Sequence, residues 1–595
     1  VISQTGTCGR MGLYLASPAY PSRRQGITTS RIAGNTIFGA EGNGNNIFVW
    51  GSSTTHNTLL NADYSGTAIE DNDIYGSHRS GIEIAGGVTG LIIRDNKIHD
   101  NSSTNGGTAD TALKYGSGIV VIRMGGDKTF LNGLGADSLT ITGNEIYDNE
   151  KNGIYMGAVN RNHTITGNAI LNNGWDGLRV DLTEAYHTGV TPVYTATLNI
   201  SANENELQGN GEYGAQVIGV PANDFALDAQ RNWWGTADGP GGVAAGTGDA
   251  VSAYVVYCPW WAAVGGTPAG IDGRLVTNTN TGEAFCTIQA AIDDADTVNG
   301  HTLTITAGTY EEDVLLNKAL TLQGAGVDVT ILQGDGTGAG IQIPYSGQPF
   351  DGITIADLKL TNYQDGMLIL GTTSNLLVED VATVSNTRHG IWSQAWDVAH
   401  WTFRRINASD NNVAGSGGRG LWIINGEKAD LTVVDSTFNN NTIAGLDVSD
   451  GNVTGLTITG NTVTNNGDSG IGALGMQGPL ANRIAGNTVT DNGRFGIEIK
   501  IPNGSGMDSG TGSIVVEDNE VSLTSTPTDL RDFAGIAVFR RSVVSTMNAD
   551  IPTGVVVRNN TVSGYRQTNA GSLSEGFGIV VEGTKMTVYS NTVAS

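Results

Sequence analysis

Residues 139–182 contain one phrase written twice. Asn144 recurs as Asn168, Asn149 as Asn173 and Gly153 as Gly177, each 24 residues on. Between these fixed points run short alternating segments, Leu-Thr-Ile-Thr and then Ile-Thr. Alternation over four to six residues marks a strand with one buried face. Asn and Gly tolerate the left-handed backbone of a sharp corner. Each period therefore reads as strand, corner, strand, corner, strand. Such a unit cannot bury its apolar face alone and must stack on copies of itself.

Two columns carry the repeat along the chain. The first is the corner Asn, at Asn35, Asn72, Asn96, Asn144 and Asn168, and again at Asn461, Asn487, Asn519, Asn560 and Asn591. Intervals stretch from 24 to 48 residues where 102–138 forms an insertion. The second column is x-Gly-apolar-x-apolar: SGIEI at 80, SGIVV at 117, NGIYM at 152 and DGLRV at 176. It resumes as DGMLI at 365, HGIWS at 389, RGLWI at 419 and AGLDV at 444, and continues to FGIVV at 577. Read as a strand after a glycine turn, its first and third apolar positions point inward and the middle one outward. Coils stacked about 4.8 Å apart place like residues above one another. Asn side chains then hydrogen-bond as a ladder.

The period breaks once. Residues 231–261, RNWWGTADGPGG and its sequel, are rich in Trp and Gly and read as a closing cap. Trp233, Trp234, Trp260 and Trp261 cluster where the repeat stops. AVGGTPAGIDG follows as a linker. Ile288, Ala291, Ile292 and Ala295 then fall on one face of a short helix, which reads as the protective start of a second stack. The expected organisation is a first stack over 1–230, the cap over 231–264, a linker and helix over 265–300, and a second stack over 301–595. The start at Val1 and the half repeat at the end lead us to expect a processed product or fragment.

Composition narrows the partners. Lys and Arg total 31 against 58 Asp and Glu, a formal net charge of −27. That balance disfavours nucleic acid and anionic membranes. No apolar run is long enough for a spanning helix. The three cysteines, Cys8, Cys258 and Cys286, are too few for a disulfide scaffold. Cys258 and Cys286 flank the junction and are the candidate disulfide, with two buried thiols as the alternative.

The φTφxxNxφxxNxxxGφxφ coils resemble the right-handed parallel β-helix repeats of pectin-lyase-like proteins. TIQAAIDDA and LTITAGTYEEDVLLNKALTLQG are similar to the opening segment of such helices, including pectin methylesterases. NWWGTADGPGG with GDAVSAYVVYCPWW resembles a closing segment of large secreted bacterial repeat proteins. The resemblance implies an all-β, right-handed parallel solenoid in two consecutive stacks, on the order of 100 Å for roughly twenty coils. It leaves function open, since this fold hosts lyases, hydrolases, esterases, epimerases, adhesins and fibres.

The search for chemistry gives candidates rather than a complete set. Asp365 sits in a setting faintly similar to a methylesterase aspartate, but the Arg-Pro-Trp element of that family is absent. A lyase site would use Asp176, Arg179 and Asp181 of DGLRVDL, or Arg388 and His389 of NTRHGIW. Arg179 and Asp181 alternate onto the outward side, and the competing reading is an exposed face carrying ordinary charges. Trp392 and Trp422 share one outward slot on adjacent coils, with Asp447 next. Tyr155 and Arg179 share it in the first half. Such an aromatic pair suits a sugar face. The scattered histidines, His163 and His301 among them, offer no zinc pattern. GDGTG at 334–338 is a candidate for structural calcium, though it lacks the spacing of calcium-binding solenoids. No other cofactor is expected.

The leading expectation is a non-catalytic, extracellular or cell-surface segment that serves as stalk, fibre or matrix component. Its partners would be glycans or other surface components. The rivals are a polysaccharide lyase, hydrolase or epimerase, and a self-associating subunit of a filament.

Overall fold

The corner that repeats is a dipeptide rather than a single residue. In the computed structural model the residue before each ladder Asn takes the left-handed conformation: Asp71 (φ 55°), Asp95 (φ 55°), Gly143 (φ 66°), Gly167 (φ 65°) and Glu204 (φ 61°). The Asn that follows is buried. The sequence reading placed the left-handed bend on the Asn itself. The structure moves it one residue back, which frees the Asn side chain to point along the stack. Described residues are 2–3, 11–16, 27–41, 44–51, 62–103, 114–122, 135–158, 160–183, 198–219, 225–244, 246–345, 349–411, 417–504, 514–524, 532–540, 551–566 and 575–594.

The chain forms two compact units, Val1–Ile271 and Asp272–Ser595. Each turn of unit 1 contributes three short strands. One coil supplies Thr140–Thr142, Glu145–Tyr147 and Ile154–Met156. The next supplies His163–Thr166, Ala169–Leu171 and Leu178–Asp181. Each strand pairs in parallel with its counterpart one coil on. Among the described residues the three large sheets are an eight-stranded lead sheet before the ladder Asn, a seven-stranded exit sheet after it, and a nine-stranded glycine sheet. Unit 2 has a ten-stranded glycine sheet, a six-stranded exit sheet and an eighteen-stranded sheet over the remaining strands.

The interior is a set of aliphatic columns. Ile37, Ile74, Ile98, Ile146 and Ile170 follow one another along the exit sheet, each essentially without solvent contact. Burying one such side chain contributes about 2 kcal/mol. The ladder runs beside them. Asn35 donates through Nδ2 to Asn72 Oδ1 at 3.0 Å, and Asn72 to Asn96 at 3.0 Å. Asn96 donates to Asn144, Asn144 to Asn168 and Asn168 to Asn205, each at 2.9 Å, and Asn205 to Asn232 at 3.1 Å. A second ladder joins Asn101, Asn149, Asn173 and Asn210 and ends on Asp249. Unit 2 carries two more, Asn386 to Asn492 and Asn461 to Asn591.

Glycine serves a different end from the one expected. The column glycines Gly81, Gly118, Gly153 and Gly177 do not lie in the left-handed region. A Cβ on Gly81 would stand 2.8 Å from the Gly118 carbonyl oxygen and 3.0 Å from Asn101 Nδ2. The column is glycine because the next coil and the second ladder leave no space for a side chain.

Trp234 and Trp260 pack into the core at the end of unit 1, just past the last rung at Asn232. The short helix spans Ile288–Asp293, with Thr287 as its cap: the Thr287 hydroxyl accepts from Ala290 N–H at 3.1 Å. Ile288, Ala291 and Ile292 are buried, but Ala295 lies beyond the helix and is exposed. The correction follows from Asp294, whose extended backbone stops the helix before that last turn. Cys258 and Cys286 are both disulfide-bonded. Cys8 lies outside the described residues.

Candidate functional site

The glycine sheet of unit 2 brings the second-half candidates together. Strands His389–Ser393, Arg419–Ile423 and Ala444–Val448 are consecutive rungs. Ile391, Leu421 and Leu446 face inward and are fully buried. Trp392, Trp422 and Asp447 stand in register on the outward side. The indoles stack with centroids 5.5 Å apart and planes 7° from parallel. Arg388 lies 4.3 Å over the Trp392 ring and Arg419 4.0 Å over Trp422. A spacing of 5.5 Å admits no guanidinium between the rings, so each cation covers an outer face. Arg388 Nε donates to Asp365 Oδ1 at 2.9 Å, and Arg419 Nε to Asp447 Oδ2 at 2.8 Å. His389 closes the side of the stack, 5.1 Å from Trp422 in edge contact, and its Nδ1 accepts from Arg419 N–H.

The resulting order is Asp365, Arg388, Trp392, Trp422, Arg419, Asp447. Both flat faces of each indole are occupied. A pyranose ring has only the indole edges to meet, which corrects the expectation of face stacking at Trp392 and Trp422. Burial, together with the charges of Arg419 and Arg388, drives the His389 imidazole down to about 3, so it is neutral at ordinary pH. Burial raises the carboxyls of Asp365 and Asp447, and the paired arginines oppose the rise. Neither arginine is an available base, because each is held on a carboxylate of a neighbouring coil.

The first-half candidates sit on the matching face of unit 1, and there the face is covered. Asp176 is 0% exposed, Asp181 2%, Arg179 6% and Tyr155 2%. The reading of an exposed strand with ordinary surface charges is therefore overturned for these residues. Tyr155, placed in sequence among the glycan-contacting candidates, has no solvent contact through which to meet one. Arg179 donates to Asp176 Oδ2 at 3.0 Å, and Tyr155 donates to Asp181 Oδ2 at 3.1 Å. Lys151 lies 4.9 Å over Trp175, and burial lowers its ammonium.

Burial raises the Asp176 carboxyl to about 6, against the opposing pull of Arg179 and the Tyr213 backbone N–H. A carboxyl raised above its unfolded value, about 3.9, holds its proton longer in the folded state. Stability is then lost as pH rises from about 4 through 6 and is level above that. We expect Asp176→Asn to remove about 3 kcal/mol of that loss between pH 4 and pH 8. Urea unfolding of both proteins at the two pH values measures it.

Comparison with known proteins bears directly on this architecture. Residues 29–227 match the family described as right handed beta helix region. Residues 321–506 match the family described as periplasmic copper-binding protein (NosD). The chain is a right-handed β-helix repeat protein. A cell surface glycoprotein of Methanothermus fervidus is 44% identical over 59 residues, a tenth of either chain. Among solved structures, the A-module of a mannuronan C-5 epimerase from Azotobacter vinelandii aligns at 19% identity and a TM-score of 0.30, over 52% of this chain and 95% of its own. An alginate lyase from a Paenibacillus species aligns at 12% and 0.25, over 52% and 96%. A periplasmic alginate epimerase aligns at 9% and 0.29, over 89% and 76%. At these scores none of the three structures bears on what this β-helix does.

Copper prefers imidazole, thiolate and thioether ligands. Within 321–506 these are His389, His400, Met367 and Met476. His389 Nδ1 is taken by a backbone N–H, His400 pairs with Asp430, and both methionines are buried in the core. The described residues contain no cluster of His, Cys, Asp and Glu fit to hold a metal. Among the described residues of this segment, these four side chains are not brought together.

A cavity of about 470 Å³ lies beside the calcium candidate, lined by Glu311, Glu312, Asp313, Gln333, Gly334 and Asp335. Glu312 accepts from the N–H groups of Ile288 and Gln289, both at 3.1 Å, and so caps the helix. Asp335 accepts from Thr337. Two of the four carboxylates are therefore committed to local structure.

One outward column escaped the sequence reading. Phe38, Tyr75, His99 and Tyr147 stack along the exit sheet at 5.1, 5.1 and 4.8 Å. The signal was the third residue of the triplet after each ladder Asn: TIF, DIY, KIH, EIY.

Proposed function

We propose that this β-helix is a non-catalytic structural segment of a larger protein outside the cytoplasm, a stiff spacer, fibre or adhesive stalk. The observation that carries the reading is the pairing of its charges. Asp365 with Arg388, Arg419 with Asp447 and Asp176 with Arg179 are each consumed inside the stack, two of the three pairs between coils. Groups so used brace neighbouring coils and are not free to act on a substrate. The ladders work to the same end, since every rung ties one coil to the next. Disulfide-bonded cysteines fit an oxidising compartment. The surface glycoprotein relative and the periplasmic NosD family agree with that location.

Incubation with pectin, alginate and chondroitin tests the reading. The expected result is no rise in ultraviolet absorbance from unsaturated ends and no shortening of chains on gels. Turnover that disappears in Arg388→Ala or Arg179→Ala would overturn it. One observation favours a polysaccharide-active enzyme instead. Asp176, with its raised carboxyl, lies beside Arg179 in a buried cluster with Tyr155 and Asp181, and strongly shifted groups gather at active sites. In that reading unit 1 would act, and the loss would follow Arg179→Ala alone.

A further inference from the structure

Trp396 interrupts a column of glycine at one corner of unit 2. The corner follows the glycine-sheet strand His389–Ser393 and precedes the strand Asp397–Arg404. Thr373 pairs with Val398 and Asp397 with Glu427, so Trp396 lies between Gly371 of the coil before and Gly426 of the coil after. Lys428 pairs with Val453, which sets Gly451 one coil further on. The backbone enforces each glycine. A Cβ would stand 2.3 Å from the Pro344 carbonyl oxygen at Gly371, 1.0 Å from that of Trp396 at Gly426 and 2.0 Å from that of Gly426 at Gly451. In this column no side chain can rise beside the indole from either neighbouring coil.

Trp396 is 67% exposed, and its ring has no aromatic, cationic or hydrogen-bonding partner among the described residues. It differs in this from Trp392 and Trp422, whose flat faces are filled. Tyr345 is 76% exposed. It follows Pro344, which packs on Gly371, and so leaves the same corner two coils below Trp396. Two coils span about 10 Å.

The charges round the ring select among ligands. Asp397 is exposed beside it, and its carboxylate has no ion pair or hydrogen bond among the described residues. Glu427 is exposed one coil on, in register with Asp397, and accepts from Asn452 Nδ2 at 2.9 Å. Lys428, the lysine of this corner, is turned inward. Its ammonium donates to the carbonyl oxygens of Asn425, Gly426 and Asp450 at 2.6, 3.2 and 3.0 Å. Carboxylates with their lysine so withdrawn repel a uronate and accept from hydroxyl groups. An open indole matches the apolar face of a pyranose. A lone cation would cover one ring only. Two rings about 10 Å apart match a β-1,4-linked chain, which turns the same ring face outward at every second sugar.

We infer that Tyr345, Trp396 and Asp397 form a binding strip for a neutral β-1,4-linked glycan lying along the stack. The strip uses neither Arg179 nor Arg388, so it stands whether the protein is a stalk or an enzyme.

Calorimetric titration of the whole chain with cellohexaose, a mannuronate hexamer and a glucosamine hexamer tests it. Cellohexaose is expected to bind, with the same affinity at low and high salt because the ligand is neutral. Cellobiose should bind more weakly, since it reaches one ring only, and the mannuronate hexamer should not bind. Trp396→Ala should weaken cellohexaose about tenfold and Tyr345→Ala about threefold. Both side chains are exposed, so circular dichroism of the variants should match wild type. No heat with cellohexaose, an affinity untouched by Trp396→Ala, or binding of mannuronate would overturn the inference. Binding confined to the glucosamine hexamer and abolished by salt would assign a cation site instead, and the inference fails.

Discussion

Asn168→Ala is expected to destabilise unit 1 by about 4 kcal/mol, the larger of the two strongest effects the structure predicts. The Asn168 side chain is the acceptor for both Asn144 N–H at 3.0 Å and Asn144 Nδ2 at 2.9 Å. Its own amide donates to Asn205 Oδ1, Ile141 O and Thr166 O. Alanine strands the buried Asn144 N–H and takes one acceptor from Asn144 Nδ2, which keeps Ile93 O and Thr142 O. Asn168→Asp sharpens the test, since the carboxylate keeps the acceptor and loses the donor. It would face the Asn205 oxygen and two carbonyls, and burial among acceptors raises its pKa. A raised carboxyl is tolerated best below the unfolded value of about 3.9 and worst above its folded value. The aspartate variant should therefore recover towards wild type as pH falls, while the alanine variant should not. Chemical unfolding followed by circular dichroism at two pH values separates them. Equal losses at both pH values for the aspartate would mean that the rung is not a donor.

Gly153→Ala is expected to cost about 3 kcal/mol or to prevent the coil from closing. Its Cβ would stand 2.4 Å from Ile170 Cγ2 and 2.7 Å from the Gly177 carbonyl oxygen. The isoleucine can shift, but the carbonyl belongs to the hydrogen-bonded backbone of the next coil. Gly486→Ala is the control. It is left-handed, with φ +62°, and has nothing within 4 Å of a new Cβ. Only backbone strain of about 1 kcal/mol is expected there. If the two substitutions cost the same, the glycine column is conformational after all, and close approach is not its reason.

The ladder and the inward columns were legible because both are repeated side chains answering their own copies. Asn144 needs an acceptor where Asn168 stands, and a rung that must both accept and donate is again Asn, so the requirement is written in the sequence. The left-handed corner was harder to place. Asp71, Asp95, Gly143 and Glu204 share a backbone conformation without sharing a side chain, so no single letter marks the position. Candidate residues were found, but their surroundings were not. Arg179 and Trp392 occupy equivalent outward slots, yet the first is almost wholly enclosed and the second is only half-buried. Enclosure depends on chain far from the strand, which a local pattern does not encode. The stacking of Arg388 and Arg419 over the indoles was also out of reach, because alternation fixes the side of a sheet and not the direction in which a long side chain lies.

Rung lengths in the first ladder stay between 2.9 and 3.1 Å while the chain between rungs varies from 24 to 48 residues. Contour length and register are thus uncoupled. A foreign peptide of a couple of dozen residues could be spliced between Asn144 and Asn168 without altering the pitch, much as the native sequence already does between Asn96 and Asn144. The molecule is in this sense a ruled scaffold for display, on which cargo can be set at chosen heights.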